Sequence, residues 1–558
     1  MRKLINDPRH VVREMLEGMA DLNPQVVLFD TENILMQAGL TTNHGEVAII
    51  SGGGGGHEPA HAGYVGHGML HAAVSGDVFT SPSSDSVLAA IRACVGAKGV
   101  LLIVKNYTGD RLNFGLAAEM ARGEGIAVEM VVVGDDIALR DSVPKEQSRG
   151  IAGTVLVHKI AGALAAQGAD LVMVATVARE VAANLATMGV ALGSCTIPAV
   201  GKPSFELAEN EVELGLGIHG EKGMARINSC PVDELVVVLL EKICADLHLM
   251  ANESVVLLVN GLGGTPPMEL AIVARQALAY LRQRGIKVER AWSGNFMTAL
   301  DMPGCSLTVL RVNQQWLECL DFPVAVSAWN NAGKLPAERG SYQIPTPPPS
   351  DKSTGIVTIQ PHLKELTYRI AAALERSETL LTELDSAAGD GDLGLSMSRG
   401  AAALRQLDDS AWINEAYLCA AIGNALRAAI AGSSGPFYAT GLLRAARYLH
   451  SQTTITSLQL AEAFVIAVAA IAELGGAKLN DRTMLDALEP AATKFKQSLL
   501  VSVAPTQAWQ LALQAAAAGT AATAQMFPKL GRASYIGERA LGYPDAGATA
   551  VMAWLNAI

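Results

Sequence analysis

The chain has 558 residues, half of them hydrophobic and 17% charged, with 42 basic against 54 acidic residues for a net charge of −12. That length suggests three or four domain-sized units with buried cores, and the composition excludes a disordered or collagen-like chain. The acidic balance argues against a general nucleic-acid binder, while leaving room for a local basic pocket for a nucleotide.

Seven cysteines lie far apart and none forms C-x-x-C. A disulfide framework or thiolate zinc site is not expected, and a reducing, cytoplasmic setting fits. The first residues, MRKLINDPRHVVREMLEG, hold no apolar signal core. The uncharged stretch Gln497 to Pro528 carries five Gln and many Ala, which reads as soluble helix and not as a membrane span.

In chain order, VAIIS (47–51), VLLIV (100–104), VEMVVVG (128–134), LVMVAT (171–176) and VVLLVN (255–260) read as buried strands. The segments SDSVLAAIRACVGA and RLNFGLAAEMARGEG between them read as helices. This alternation predicts α/β layers in two subdomains, dividing near 185–200. Residues 340–355, GSYQIPTPPPSDKSTG, read as an extended spacer. Beyond it strand signals nearly vanish. Ala-rich helical segments such as EAYLCAAIGNALRAAIAG and LQLAEAFVIAVAAIAEL predict an all-α bundle or barrel. The expected division is residues 1–340, a linker at 341–355, and 356–558.

The first chemical feature is SGGGGGHEPAH (51–61), directly after a predicted strand. Its glycines would let backbone N–H groups surround a polar ligand. It is no P-loop, because no Gly-Lys-Ser/Thr follows, and no dinucleotide fingerprint, because His57 stands where a Gly is needed. His57-Glu58-Pro59-Ala60-His61 matches H-E-x-x-H, but a glycine run and Pro59 do not suit one helix face carrying both histidines. Lys105 and Asp110 lie just past a strand end, where α/β sites usually sit. In GLGIHGEKG, glycines flank His219 and leave its ring accessible.

After the spacer, LDSAAGDGDLGLSM places Asp385, Asp390 and Asp392 among glycines. Such carboxylates can wrap Mg²⁺ together with phosphate oxygens, and the spacing excludes an EF-hand. Gly432 to Gly435, the 475–488 segment with Lys478 and Arg482, and the 531–550 segment add phosphate-friendly groups. Together they suggest a Mg-nucleotide site that is not a P-loop.

These motifs resemble the dihydroxyacetone kinase family over nearly the whole chain. GGGGGHEPAHAGYVG, GDVFTSPSSDSVLAAI, IVKNYTGDRLNFGLAAE and GLGIHGEKG resemble its K domain; GDGDLGLSMSRGA, GSSGPFYATGL, NDRTMLDAL and GRASYIGERALGYPDAG resemble its L domain. The resemblance implies two α/β subdomains followed by an eight-helix barrel, and the single-chain form that uses ATP and Mg²⁺. It implies that His219 bonds the ketose carbonyl as a hemiaminal, that His57 and Asp110 assist at the hydroxyls, and that Gly54, Gly55, Gly56 and Lys105 line the sugar pocket. It makes Asp385, Asp390 and Asp392 the Mg²⁺ ligands and Leu393, Ser433, Ser434, Gly475, Thr483, Met484, Asp545 and Gly547 the ATP contacts. It also implies a homodimer in which L domains can be exchanged. Gly55, Leu393, Asn480 and Ala546 depart from the usual pattern. Gly55 in place of Ser raises the alternative of a four-carbon ketose such as erythrulose. A phosphotransferase-system donor, a sugar sensor and an FAD-cyclising side activity are the other readings.

Overall fold

The structure is a computed structural model describing residues 3–41, 44–140, 142–203, 205–329, 331–337, 339–341, 359–430, 432–530 and 533–558. The chain divides into two compact units, Met1–Gln343 and Ile344–Ile558. From residue 342, the expected proline-rich linker lies outside the described residues.

The first unit opens with α1 (Val11–Leu22), β1 (Val26–Leu28), β2 (Ile34–Gln37), β3 (Ala48–Gly55) and β4 (Ala72–Val78). Then come α2 (Ser84–Cys94), β5 (Val100–Lys105), α3 (Thr108–Gly123), β6 (Val128–Val133), α4 (Thr154–Ala166) and α5 (Leu171–Ala183). These strands form one sheet in the order β1-β2-β4-β3-β5-β6, with β4, β3, β5 and β6 mutually parallel. A second sheet holds β7 (Leu185–Ala191), β8 (Glu211–Leu214), β9 (Ala225–Asn228), β10 (Ser254–Gly261), β11 (Lys287–Gly294) and β12 (Gly304–Arg311). Its order is β11-β10-β12-β7-β8-β9, and only β10 and β11 pair in parallel. Helices α6 (Val232–Asp246), α7 (Pro267–Gln283) and α8 (Gln314–Asp321) complete the unit. Helix α4 is apolar on nearly every side and is buried from Thr154 to Ala165, as an all-round hydrophobic helix must be.

Two expectations are corrected. LVMVAT (171–176) is the start of α5, not a strand: Asp170 caps it by accepting from the Met173 amide at 2.8 Å. Its buried positions, Val174, Ala175, Val177, Ala178 and Val181, follow helical spacing. The glycine run is not a loop, because Gly52 to Gly55 finish β3 inside the parallel sheet. A Cβ on Gly52 would stand 2.2 Å from the Val74 carbonyl oxygen, and one on Gly54 2.5 Å from the Thr80 nitrogen. Only glycine admits so close a strand.

The second unit contains α9 (Pro361–Arg376), α10 (Glu378–Ala388), α11 (Leu393–Arg405), α12 (Glu415–Ala429), α13 (Ser434–His450), α14 (Ser457–Gly475), α15 (Leu485–Leu500), α16 (Pro505–Ala522), α17 (Ala533–Ile536) and α18 (Ala546–Leu555). Helices α11 to α16 each pack on the next, and α18 joins α15 and α16 back to α9, closing the ring. Small residues allow the close approach: a Cβ on Gly519 of α16 would lie 1.9 Å from the Asp486 carbonyl oxygen of α15. Helix α14 is long and apolar enough to cross a membrane by length and composition, and it packs between α13 and α15.

The two sheets of the first unit are stitched by one buried carboxylate. Asp135, just past β6, accepts from the Ile151 amide at 2.7 Å, the Gly153 amide at 2.8 Å and the Thr187 hydroxyl of β7 at 2.5 Å. Removing it strands the buried Ile151 and Gly153 amides, each costing about 1–3 kcal/mol, while the Thr187 hydroxyl can turn to Thr308 Oγ1 at 2.8 Å. Asp135→Ala is therefore expected to lower unfolding stability by at least about 2 kcal/mol, with Asp135→Asn milder, as measured by urea titration of the full chain.

Candidate active site

Four segments of the first unit bring polar groups together: the residues after β3, the end of β5, the first turn of α3 and the Gly215–Glu221 loop. His57 is fully buried. Its Nδ1 lies 2.8 Å from the Thr298 carbonyl oxygen, which can only accept, so Nδ1 carries the proton. His219 Nδ1 lies 2.7 Å from Glu221 Oε1, and the His219 amide donates to Glu221 Oε2 at 3.0 Å. Burial pushes the Glu221 carboxyl up, but the hydrogen bond and charge of His219 outweigh it and bring it to about 2. An ionised carboxylate accepts, so His219 Nδ1 also carries its proton. Both Nε2 atoms are thereby turned toward each other, 3.1 Å apart. A hydrogen bond between them needs one additional proton shared by the pair; otherwise each presents a lone pair. The His219 side chain keeps 20% of its surface exposed, so its nitrogen is reachable.

Aromatic rings hold this pair. Phe79 stacks on His57 at 5.0 Å, and Phe79 and Tyr107 meet His219 edge-on at 5.1 and 4.6 Å. Lys105 and Asp110 are both buried. Burial lowers the Lys105 pKa, while Asp110, Glu221 and Glu58 act in the opposite direction. Among described groups the Lys105 Nζ has no hydrogen-bond partner. It stands 2.9 Å from where a Cβ on Gly53 would be, with Asp110 Oδ2 at 3.7 Å. Gly53 therefore faces these charges, a role the sequence reading did not single out. Gly54 abuts the backbone of Phe79 and Thr80, and Gly56 abuts the Phe79 ring. A Cβ on Gly55 would meet Val12 of α1 at 2.8 Å and no polar group of the site. The missing side chain at 55 thus relieves packing against α1.

The H-E-x-x-H match dissolves here: residues 57–61 form a turn, not a helix face. His61 points instead toward Ser51, whose hydroxyl lies 3.4 Å from His61 Nδ1 and 3.1 Å from His158 Nε2. Burial is the main cause that lowers the pKa of His57, His61 and His158, with Lys105 adding to it, and His158 falls to about 3.

In the second unit, Asp385 closes α10 and Asp392 caps α11, with Asp390 between. One carboxylate oxygen from each lies within 4.8 Å of the others. The Leu393 amide donates to Asp385 Oδ2 at 3.2 Å. This all-oxygen set fits a hard divalent cation such as Mg²⁺. The three aspartates, Leu393, Ser433, Ser434, Gly475, Thr483, Met484, Asp545 and Gly547 all line one cleft. Arg482 lines it too, fully buried, donating to the Ala540 and Tyr543 carbonyls at 3.0 and 2.9 Å while its Nε and Nη1 lack a hydrogen-bond partner. Its Nη1 faces Asp545 Oδ1 at 3.9 Å, so the guanidinium adds positive charge beside the cleft's carboxylates. Burial raises Asp545 to about 6. Asp486 pins the loop between α14 and α15 by accepting from the Asn480 and Thr483 amides at 2.5 and 2.8 Å. Asn480 sits at φ +70°, a left-handed position that glycine favours and asparagine tolerates, which explains that departure. Ala546 opens α18 behind the Asp545 cap, where proline is favoured but not required.

An α/β unit that aims a histidine nitrogen into a buried polar pocket, together with a helical unit whose cleft gathers three carboxylates and no P-loop, defines a two-domain small-molecule kinase. The Dak1 domain family matches residues 17–328 and the DAK2 domain family residues 387–558. The chain is 42% identical over 586 residues to a protein of Solanum lycopersicum named putative 3,4-dihydroxy-2-butanone kinase, covering all of this chain and 97% of that one. It is 40% identical to the human triokinase/FMN cyclase, covering 100% and 98%. The crystal structure of the C. freundii dihydroxyacetone kinase in complex with AMP-PNP and Mg²⁺ superposes with a TM-score of 0.65 at 36% identity, covering 100% and 99%. The chain belongs to the dihydroxyacetone kinase family, with Dak1 and DAK2 domains fused in one polypeptide.

The buried histidines predict a pH dependence. Their folded pKa values lie below the unfolded value near 6.5, so the unfolded state binds more protons as pH falls through 6.5. Stability is retained above that pH and declines below it, by about 2 kcal/mol at pH 5 for His158, with His57 and His61 acting in the same direction. The urea midpoint for exposing β3 amides is expected to fall between pH 7 and pH 5; an unchanged midpoint would contradict the burial of these rings as neutral groups.

Proposed function

We propose that this chain transfers the γ-phosphoryl group of ATP to a hydroxyl of a short ketose, dihydroxyacetone in the leading reading. The observation that carries the proposal is the fixed His219 tautomer, with Glu221 on Nδ1 and Nε2 facing His57. A neutral Nε2 can add to a ketose carbonyl: its lone pair forms the C–N bond, the carbonyl π pair moves to oxygen, that oxygen takes a proton, and Nδ1 passes its own proton to the Glu221 carboxylate, leaving a neutral hemiaminal. The shared-proton position at His57 Nε2 is where such a proton can be held. A polyol such as glycerol has no carbonyl to capture and is rejected on that ground. Asp110 and Lys105 fit the remaining hydroxyls, Asp110 as acceptor of the proton from the attacking one. Bound at Asp385, Asp390 and Asp392, Mg²⁺ would neutralise the ATP phosphates during transfer. Ser433, Ser434, Thr483 and the buried Arg482 supply donors around the nucleotide. The seven free thiols suit a reducing cytoplasm.

The four-carbon alternative retains its place through the named activity of the Solanum lycopersicum relative, not through extra space at Gly55. The human relative's second named activity, FMN cyclase, favours a further reaction in the helical cleft. Incubation with FAD and a divalent cation, followed by chromatography for a cyclic flavin nucleotide, tests it.

Purified full-length protein with ATP and Mg²⁺ alone is expected to phosphorylate dihydroxyacetone, with mass spectrometry across C3 and C4 ketoses ranking substrates; a need for a protein phosphodonor would overturn the ATP reading. His219→Ala is expected to lose ketose discrimination while binding ATP. Asp390→Ala is expected to lose Mg-ATP binding while keeping carbonyl capture. If the active form is a homodimer that exchanges helical units, mixing these two variants restores ketose-selective turnover, and no recovery on mixing argues for transfer within one chain.

A further inference from the structure

The loop that carries His219 is held by a residue outside the ketose pocket. Arg149 lies between β6 and α4. Its Nε donates to Asp136 Oδ2 at 2.8 Å, and its Nη2 lies 2.7 Å from the same oxygen. Nη2 also donates to the Gly215 carbonyl oxygen at 2.7 Å, at the entrance of the His219 loop. The two side chains are 11% and 2% exposed, so this pair works out of water. Asp136 is in turn fixed by accepting from the Ala138 amide at 2.9 Å.

The loop itself is tightly wound. The Gly215 amide donates to the Gly189 carbonyl at 2.7 Å, and the Gly217 amide to the Glu221 carbonyl at 3.1 Å. A Cβ on Gly217 would stand 1.9 Å from Glu221 Oε2 and 2.6 Å from Arg149 Nη1. The Glu221 carboxylate and the Arg149 guanidinium therefore face each other across Gly217, with the loop backbone beside them. Nη1 is buried and has no hydrogen-bond partner among the described residues, and the same holds for the Tyr107 hydroxyl, whose ring packs on His219. Arg149 thus touches both the start of the loop and the space in front of the carboxylate that orients His219.

We propose that Arg149 is a positioning residue for His219: through the Gly215 carbonyl and its face toward Glu221 it fixes the loop so that Glu221 holds His219 with Nε2 aimed at the ketose. This rests on the reading of His219 as the carbonyl-capturing residue. Arg149 does not touch the reacting atoms. Its guanidinium reaches Asp136, Gly215 and the Gly217 face at once, which a lysine amine cannot do from one point.

The test uses the full chain with Arg149→Met, Arg149→Lys and Gly217→Ala, and His219→Ala as reference. In Arg149→Met the KM for dihydroxyacetone is expected to rise about 10- to 100-fold, since a small misplacement of a reacting group costs that much. The KM for ATP should stay within about two-fold, because the helical unit is untouched. The ¹⁵N side-chain signals of His219 should move from a single Nδ1-protonated form to a mixture of tautomers, which a merely structural defect elsewhere would not produce. Arg149→Lys should recover part of the loss. Gly217→Ala, whose Cβ would meet Glu221 Oε2 at 1.9 Å and Arg149 Nη1 at 2.6 Å, should reproduce the ketose defect through Glu221, and Arg149→Lys carries the test of Arg149 if Arg149→Met does not fold. If His219→Ala leaves ketose affinity and discrimination unchanged, the reading of His219 fails. If His219→Ala destroys capture while the folded Arg149 and Gly217 variants keep wild-type ketose KM and a single His219 tautomer, the positioning role of Arg149 is overturned.

Discussion

A strand that ends in four glycines runs through the centre of the first unit's sheet, and the candidate pocket around His57 and His219 depends on it. Gly52 and Gly54 approach neighbouring backbone so closely that any Cβ would collide with it. The absence of a side chain at Gly53 leaves the space that the Lys105 ammonium and the Asp110 carboxylate face. The chain then leaves the sheet directly into His57, which the turn delivers to the same pocket. Glycine in a strand costs conformational entropy; here the buried parallel ladder to β4, joined by β5 at Gly52, offsets it.

The two units handle charge in opposite ways. In the first, polar groups are taken out of water, and the two facing imidazoles and the carboxylates behind them are held by specific partners. Thr298 fixes one imidazole, Glu221 the other, and Asp135 and Asp136 anchor the strand-to-helix connection behind them. In a medium of low polarity these contacts define tautomer and direction with little freedom to rearrange. In the second unit Asp390 and Asp392 stand exposed, with Asp385 half-buried. A cation arriving with its own phosphate ligands can be accepted there without prior desolvation of the carboxylates. Buried Arg482 and Asp486 brace that cleft from beneath.

Much of the candidate site was legible in the sequence. Glycines beside a histidine, a lysine and an aspartate just past a strand, and three aspartates among glycines each declare a chemistry by local spacing. Asp385 to Asp392 needed only a helix end and a helix start to converge. Glu221 was also within reach, as a carboxylate two residues after His219. Thr298 was not, because its carbonyl meets His57 across 241 positions and any residue type could supply it. The run at 171–176 misled because four apolar residues in a row look alike in a buried strand and in a helix; the Asp170 cap was the deciding signal. The glycine run misled in the other direction, since its freedom as a loop is cancelled only by pairing with a distant strand, β4.

The sequence by itself determined the two-part architecture, the helical character of the second part and the residue types gathered at the two candidate sites. These are local properties: periodicity, composition and short-range spacing. Only the tertiary structure decided which nitrogen of each histidine is free, that Gly53 and not Gly55 faces the charged groups, and that Arg149 stands behind the His219 loop. Those are matters of direction and contact between distant segments, and they exist only once the two sheets have been packed around α4.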